Sequence, residues 1–161
     1  MSAREPAKAR LANLSDLDDL LKLTVGFRHV LRRDQPDDNS LREGKEGLLS
    51  SGEVEFFIVT DDKERAVGYV QQRYRHSLWL NGLEATLEDL YVSLDYRRQG
   101  ISTCIVRFAI DRAKEKGCRA VKLDTNERNE EAIQFYSKLG FSSGSSRFPG
   151  SRQLSLEKTL E

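Results

Sequence analysis

Apolar positions along the chain change period several times, and the changes mark out a succession of strands and helices. Residues 9–14 alternate as a first strand, and Ser15 with Asp16, Asp18 and Asp19 then gives a helix start rich in first-turn acids. Leu17, Leu20, Leu21, Val25 and Phe27 carry that helix to about Val30. A polar turn over residues 32–39, holding Pro36, leads to a second short helix over 40–50. Residues 53–60 and the stretch from Ala66 to about Tyr74 read as a hairpin across a charged turn, and 83–92 as the next strand. Ile101, Cys104, Ile105, Phe108, Ala109 and Arg112 form a stripe at spacings of three and four, closing at Gly117. A short alternating strand over 120–125 and a helix over 129–139 follow. Phe141 is expected to open a further strand, a Ser/Gly/Pro loop occupies 144–150, and 152–159 alternate like a final strand. The order predicts an α/β protein of the α+β type: an antiparallel meander, then a parallel β-α-β crossover, on one mixed sheet.

Two features inside this pattern carry chemistry. The strand Leu87-Glu88-Asp89-Leu90-Tyr91-Val92 is apolar or aromatic at most positions yet holds two adjacent carboxylates. Side chains alternate along a strand, so Glu88 and Asp89 are expected on opposite faces, Asp89 in a structural role. The loop Arg97-Arg98-Gln99-Gly100-Ile101-Ser102-Thr103 then runs into the next helix. Helix-start amides lack internal partners and carry about half a positive charge, and arginine forks suit phosphate oxygens. That is a place for phosphates, although a solvated strand-to-helix connection has the same composition.

Composition narrows the setting. The chain has 161 residues, enough for one domain with a core, and its 26 Lys plus Arg balance 26 Asp plus Glu. No global field draws it to nucleic acid or an anionic membrane, and no extended basic stripe accompanies Arg97 and Arg98. It lacks a long apolar run, and its start has no signal-peptide core, so a cytoplasmic location is expected. Cys104 and Cys118 read as reduced packing residues, and His29 and His76 stand alone, so no metal site is assigned. Trp79 and Leu80, in the connection before the 83–92 strand, read first as packing residues, with pocket cover or an interface as alternatives.

The loop 97–102 and the run Asn129-x-x-Ala132-x-x-x-Tyr136-x-x-x-Gly140-Phe141 together resemble the signature motifs of the GNAT N-acetyltransferase superfamily, in order and spacing. The Leu-Glu-Asp-Leu-Tyr-Val run is similar to the diamine and polyamine branch. The likeness covers residues 54–141 and departs at Ser102, where the family usually has Gly or Ala.

The resemblance implies the GNAT fold with helices on both sheet faces, and acetyl-CoA as cosubstrate with no metal. It also implies a small-molecule or peptide amine as acceptor, with no nucleic-acid or membrane partner. By resemblance Glu88 is the general base, acting directly or through water, and Tyr136 the acid for the departing thiolate. A phenol that merely packs in the core is the plainer reading of Tyr136. Backbone N–H groups of Leu90, Tyr91 and Val92 are the candidates for the carbonyl oxygen, which needs a bulge the sequence does not display. Arg97, Arg98, Gln99, Gly100, Ile101, Ser102 and Thr103 would hold the pyrophosphate, with Asn129 and Ala132 on the cofactor side. Residues 27–39 overlie the acceptor pocket in this family, so Phe27 and Asp34, with Glu88, are candidate substrate contacts. Asp37 and Asp38 belong to the same acidic turn, which equally fits a solvated loop. A homodimer would cover strand edges here. The reading from another class is a catalytically silent acyl-CoA sensor or partner-docking module.

Overall fold

A computed structural model describes residues 7–144 and 148–160. Its contacts divide the chain into two compact units, Met1–Lys122 and Leu123–Glu161. The elements are β1 (Lys8–Leu11), α1 (Leu17–Val30), α2 (Asp38–Ser51), β2 (Val54–Thr60), β3 (Ala66–Ser77), β4 (Gly82–Val92), α3 (Ile101–Glu115), β5 (Ala120–Leu123) and α4 (Glu130–Lys138). The strands form one sheet in the order β1-β2-β3-β4-β5.

β1 to β4 pair antiparallel. β5 enters beside the start of β4, where the Arg119 N–H donates to the Leu83 carbonyl at 2.8 Å. Lys122 meets Glu84 further on, so β5 runs parallel to β4 and the sheet is mixed, as the crossover pattern predicts.

Strand alternation sends two sets of side chains to two helical layers. Phe56, Ile58, Tyr69 and Tyr91 join Leu20 and Leu23 in one buried cluster, against which Phe27, Leu48 and Leu49 pack. The opposite face receives α3 through Ile101, Ile105, Val106, Ala109 and Ala113, all buried. Phe57 meets Phe108 edge to face at 5.3 Å, and Gln72 Nε2 donates to the Ala109 carbonyl at 3.1 Å. Each buried Phe, Ile or Leu contributes about 1.5–3 kcal/mol, so the two layers fix which sheet face each polar residue meets.

Several boundaries shift for identifiable reasons. The first helix is led by a 3-10 turn rather than started at Ser15: Asn13 accepts from the Ser15 N–H, and Asp16 accepts from the Asn13 N–H, both at 2.9 Å. Asp16 is buried and paired with Arg10 at 2.7 Å, which makes it an anchor for β1. The 32–39 turn ends earlier than expected because Asp37 caps α2, accepting from the Ser40 N–H at 2.8 Å.

Gly117 has φ +80°, and the Cys118 N–H reaches back to the Ala113 carbonyl at 2.9 Å, a left-handed closure of α3. In the second unit Gly140 closes α4 the same way, with φ +93° and the Phe141 N–H on the Tyr136 carbonyl at 3.0 Å. Phe141 therefore belongs to the helix ending, and the strand expected from it does not form. Among the described residues the final strand expected over 152–159 is reduced to a single antiparallel bridge between Gly144 and Arg152, with Leu154 and Leu156 exposed. Its leucines alternate, but nothing among the described residues covers them. Residues 145–147 of the preceding loop lie outside the described residues. The packing reading of Trp79 also fails: with Leu78 it sits exposed at the tip of the β3–β4 hairpin, and only Leu80 is half-buried.

Candidate active site

The central feature is a register break in β4. Gln71 pairs with Asp89, but its neighbour Gln72 pairs with Leu87, so Glu88 is an inserted residue with no partner across the ladder. This is a β-bulge, placed on the acidic pair.

The bulge overturns the expected alternation. Tyr69 and Gln71 lie two residues apart on β3 and share a face. The Tyr69 hydroxyl donates to Asp89 Oδ2 at 3.4 Å, and Gln71 Nε2 donates to Glu88 Oε2. Glu88 and Asp89 therefore stand on the same face, the one covered by α1 and α2, because the extra residue cancels one alternation. Arg73, next on that face, holds Glu88 as a fork, Nε to Oε1 at 2.6 Å and an η-nitrogen to Oε2 at 3.3 Å.

The two acids differ in setting. Glu88 keeps a solvent-facing carboxylate, its side chain 28% exposed. Burial pushes the Asp89 carboxyl above its ordinary range, against the pull of the nearby Lys45 ammonium. Lys45 itself is buried on α2, over the rings of Phe56 at 4.4 Å and Tyr69 at 4.5 Å. Desolvation lowers its ammonium from 10.5 to about 8, with Asp89 pulling the other way.

Backbone donors after the bulge divide by ladder phase. The Ser93 N–H donates to the Val67 carbonyl at 2.8 Å, which makes every second pair along β4 a bonded one. The Tyr91 N–H thus faces Tyr69 on β3, whereas the Leu90 and Val92 N–H groups face the other edge. Of the three donors named from sequence, Tyr91 is committed to the sheet. Its side chain goes under α1, 5.7 Å from the Phe27 ring between centroids, and a Cβ on Gly26 would lie 2.6 Å from its hydroxyl oxygen. Glycine is what lets α1 approach this closely.

The loop after β4 ends in Gly100, with φ +77° and open space around it, at the head of α3. No side chain caps that helix start, and its first turn has no acid. Arg97, Arg98 and Gln99 are exposed, Ile101 is buried, and Ser102 and Thr103 are half-buried. Arg97 Nε donates back to the Val92 carbonyl at 3.2 Å. These residues fit an anionic diphosphate, with oriented N–H groups, two guanidinium groups and no acid in the first turn of the helix.

Other sequence-named residues have structural partners. In the second unit Asn129 caps α4, its Oδ1 accepting from the Ala132 N–H at 3.2 Å. Tyr136 is half-buried, edge-on to Phe135 at 5.0 Å and to Phe141 at 5.6 Å, and burial raises its hydroxyl's pKa. Asp38 pairs with Arg28 at 2.8 Å, and Asp34 is exposed. Cys104 donates to the Ala7 carbonyl at 3.3 Å, and burial raises both thiols' pKa values. Among the described residues no helix is long and apolar enough to cross a membrane.

Arg73, Gln71 and Lys45 were not singled out by sequence reasoning. Arg73 and Gln71 are long polar residues in the middle of a strand, and Lys45 falls on the Leu41–Leu48 stripe of its helix, which were the available signals.

A bulged acidic strand on a mixed α/β sheet runs into an uncapped, glycine-led helix. The Acetyltransferase (GNAT) family profile matches residues 17–141, and the chain belongs to that family. An uncharacterized N-acetyltransferase of Methanocaldococcus jannaschii is 34% identical over 131 residues, covering 78% of this chain and 56% of that protein. A thialysine N-epsilon-acetyltransferase of Bos taurus is 36% identical over 74 residues, 46% of this chain and 43% of its own length. The chain spans about half the length of these curated relatives. A solved structure described as a probable acetyltransferase superposes with a TM-score of 0.84 at 24% identity, covering 96% of this chain and 99% of that one, and shares the fold.

Proposed function

We propose that the protein is an N-acetyltransferase that moves the acetyl group of acetyl-CoA to a primary amine in a ternary complex, without a covalent enzyme intermediate. The observation that carries this reading is the bulge at Glu88, which exposes a carboxylate on one strand face and directs the Leu90 and Val92 N–H groups to the adjoining edge.

An amine with a pKa near 10.4 arrives mostly protonated, so a base must take its proton. Glu88 is assigned that task, directly or through water. The Leu90 and Val92 N–H groups are assigned to the carbonyl oxygen as it gains charge. Tyr136 is assigned as proton donor to the leaving thiolate. The head of α3, from Arg97 to Thr103, would grip the diphosphate, and Asn129 and Ala132 are assigned to the cofactor as well. Acetyl-CoA supplies an activated acyl group and a stable leaving thiol.

The acceptor is a small or peptide amine, with a di- or polyamine favoured. The paired acids on one face support that choice, and a curated relative is named for thialysine. The fold is read as one catalytic domain, cytoplasmic, and able to pair as a homodimer.

A second reading, an acyl-CoA-binding sensor without turnover, draws on one observation: Glu88 is already held by Arg73 and Gln71. Thiol release from acetyl-CoA over a panel of spermidine, thialysine, kanamycin and an alanyl peptide separates the two. The enzyme reading expects turnover that Tyr136→Phe abolishes and Glu88→Gln weakens. Tight CoA binding with no turnover on any amine supports the sensor.

A further inference from the structure

Glu88 carries a guanidinium where an acceptor's ammonium would have to sit. Arg73 binds both carboxylate oxygens, and Gln71 donates to Oε2 as well. A carboxylate so engaged has little room for a second cation. The ion pair is nevertheless open to water, with Arg73 36% and Glu88 28% exposed. It also has an exit. The other η-nitrogen of Arg73 lies 4.0 Å from Glu53 Oε2, on a side chain that is 75% exposed.

We propose that Arg73 is a specificity-determining residue: it occupies Glu88 as an internal stand-in for the substrate cation and moves to Glu53 when the acceptor ammonium arrives. The inference rests on the assignment of Glu88 to the acceptor. The exchange conserves charge at every stage. Two cations, Arg73 and the substrate ammonium, share two acids, Glu88 and Glu53, and no group is left buried and unpaired.

Competition of this kind selects among amines. A compact ammonium flanked by further positive charge displaces guanidinium from a carboxylate more readily than a zwitterion does, because a neighbouring substrate carboxylate would be repelled by Glu88 and retained by Arg73. The substrate class implied is a polycation without an adjacent carboxylate.

The test uses the full chain with Arg73→Gln, Glu53→Gln and the double variant, in steady-state kinetics with spermidine and saturating acetyl-CoA. Thermal melts confirm that these exposed substitutions leave the fold intact. Arg73→Gln should lower the KM for spermidine about two- to fivefold, the scale of an exposed ion pair, with kcat nearly unchanged. Glu53→Gln should raise KM in the wild-type background and do nothing once Arg73 is gone. An unchanged or higher KM in Arg73→Gln overturns the proposal, as does an equal Glu53→Gln effect in both backgrounds.

A binding arm keeps the proposal separable from the enzymatic reading. Calorimetry with methylguanidinium chloride should detect binding to Arg73→Ala, and none to the wild type or to Arg73→Ala/Glu88→Gln. If spermidine is not turned over by the wild type, but methylguanidinium binds in this pattern, the acetyltransfer reading fails for that amine while the exchange at Glu88 stands. Equal methylguanidinium binding to all three proteins refutes the exchange.

Discussion

Glu88 and Asp89 are consecutive residues whose side chains meet the same sheet face, Glu88 at Gln71 and Asp89 at Tyr69. In a regular strand they would lie back to back. The bulge converts a sequence neighbour into a second carboxylate beside the proposed base, and burial gives the two different work.

The division predicts opposite phenotypes. Glu88→Gln should lower kcat/KM for the acceptor about a hundredfold with little change in melting temperature. Asp89→Ala takes the acceptor from the Tyr69 hydroxyl, leaves a gap beside Lys45 and should cost about 1–3 kcal/mol of stability. Urea melts beside kinetics read both, and a Glu88→Gln variant that unfolds early with normal kcat/KM would reverse the assignment.

Lys45 sets a pH dependence in the alkaline range. Its ammonium falls from 10.5 in the unfolded chain to about 8 in the fold, because burial disfavours the charge. Between those values the unfolded chain holds this proton more tightly, so Lys45 contributes a rise in stability with pH there, set against the fall contributed by the two raised thiols and Tyr136. The expected gain from this group is about 3 kcal/mol, and Lys45→Met should remove it. Asp89 acts with the opposite sign: its raised pKa makes stability fall as pH rises through its own titration. Equal alkaline slopes in wild type and Lys45→Met would show that Lys45 is solvated.

Gly26 and Tyr91 give a prediction whose sign depends on one oxygen. Alanine favours a helix over glycine by about 1 kcal/mol, but the added Cβ would stand 2.6 Å from the Tyr91 hydroxyl oxygen. Gly26→Ala should therefore destabilise, by about 1–3 kcal/mol. The Tyr91→Phe background removes that oxygen, leaves ring atoms at 3.1 and 3.2 Å, and should recover most of the loss. Denaturant midpoints for the four proteins decide it, and equal losses in both backgrounds count against the contact.

Tyr96 ties the segment before the 97–103 loop to the β2–β3 turn. Its hydroxyl donates to Asp61 Oδ2 at 3.0 Å and accepts from an Arg65 η-nitrogen at 2.8 Å. Tyr96→Phe should raise the KM for acetyl-CoA roughly three- to tenfold and leave that for the amine unchanged. Asp61→Asn should act alike and not add to it, since both break one network. Full additivity would mean the two act separately.

Much of this was legible in the chain. Period-two and period-three-to-four patterns marked β2, β3, β4 and α3, and Gly117 and Gly140 marked where two helices close, because those signals are local. The loop at Gly100 was legible for the same reason: a left-handed glycine at a helix head leaves its mark on the sequence around it. The final strand was not, since alternating leucines state a preference for pairing without supplying a partner.

What the sequence determined by itself, then, is the order of elements from β1 to α4, the family, and the identity of the acids and arginines. Only the tertiary structure decided which way the acids face and what already holds them. Register is a property of two strands together: the slip between Gln71 and Gln72 exists only when β3 lies against β4. That pairing puts Glu88 and Asp89 on one face, brings Arg73 onto Glu88 across fifteen residues of chain, and lets α2 bury Lys45 above them.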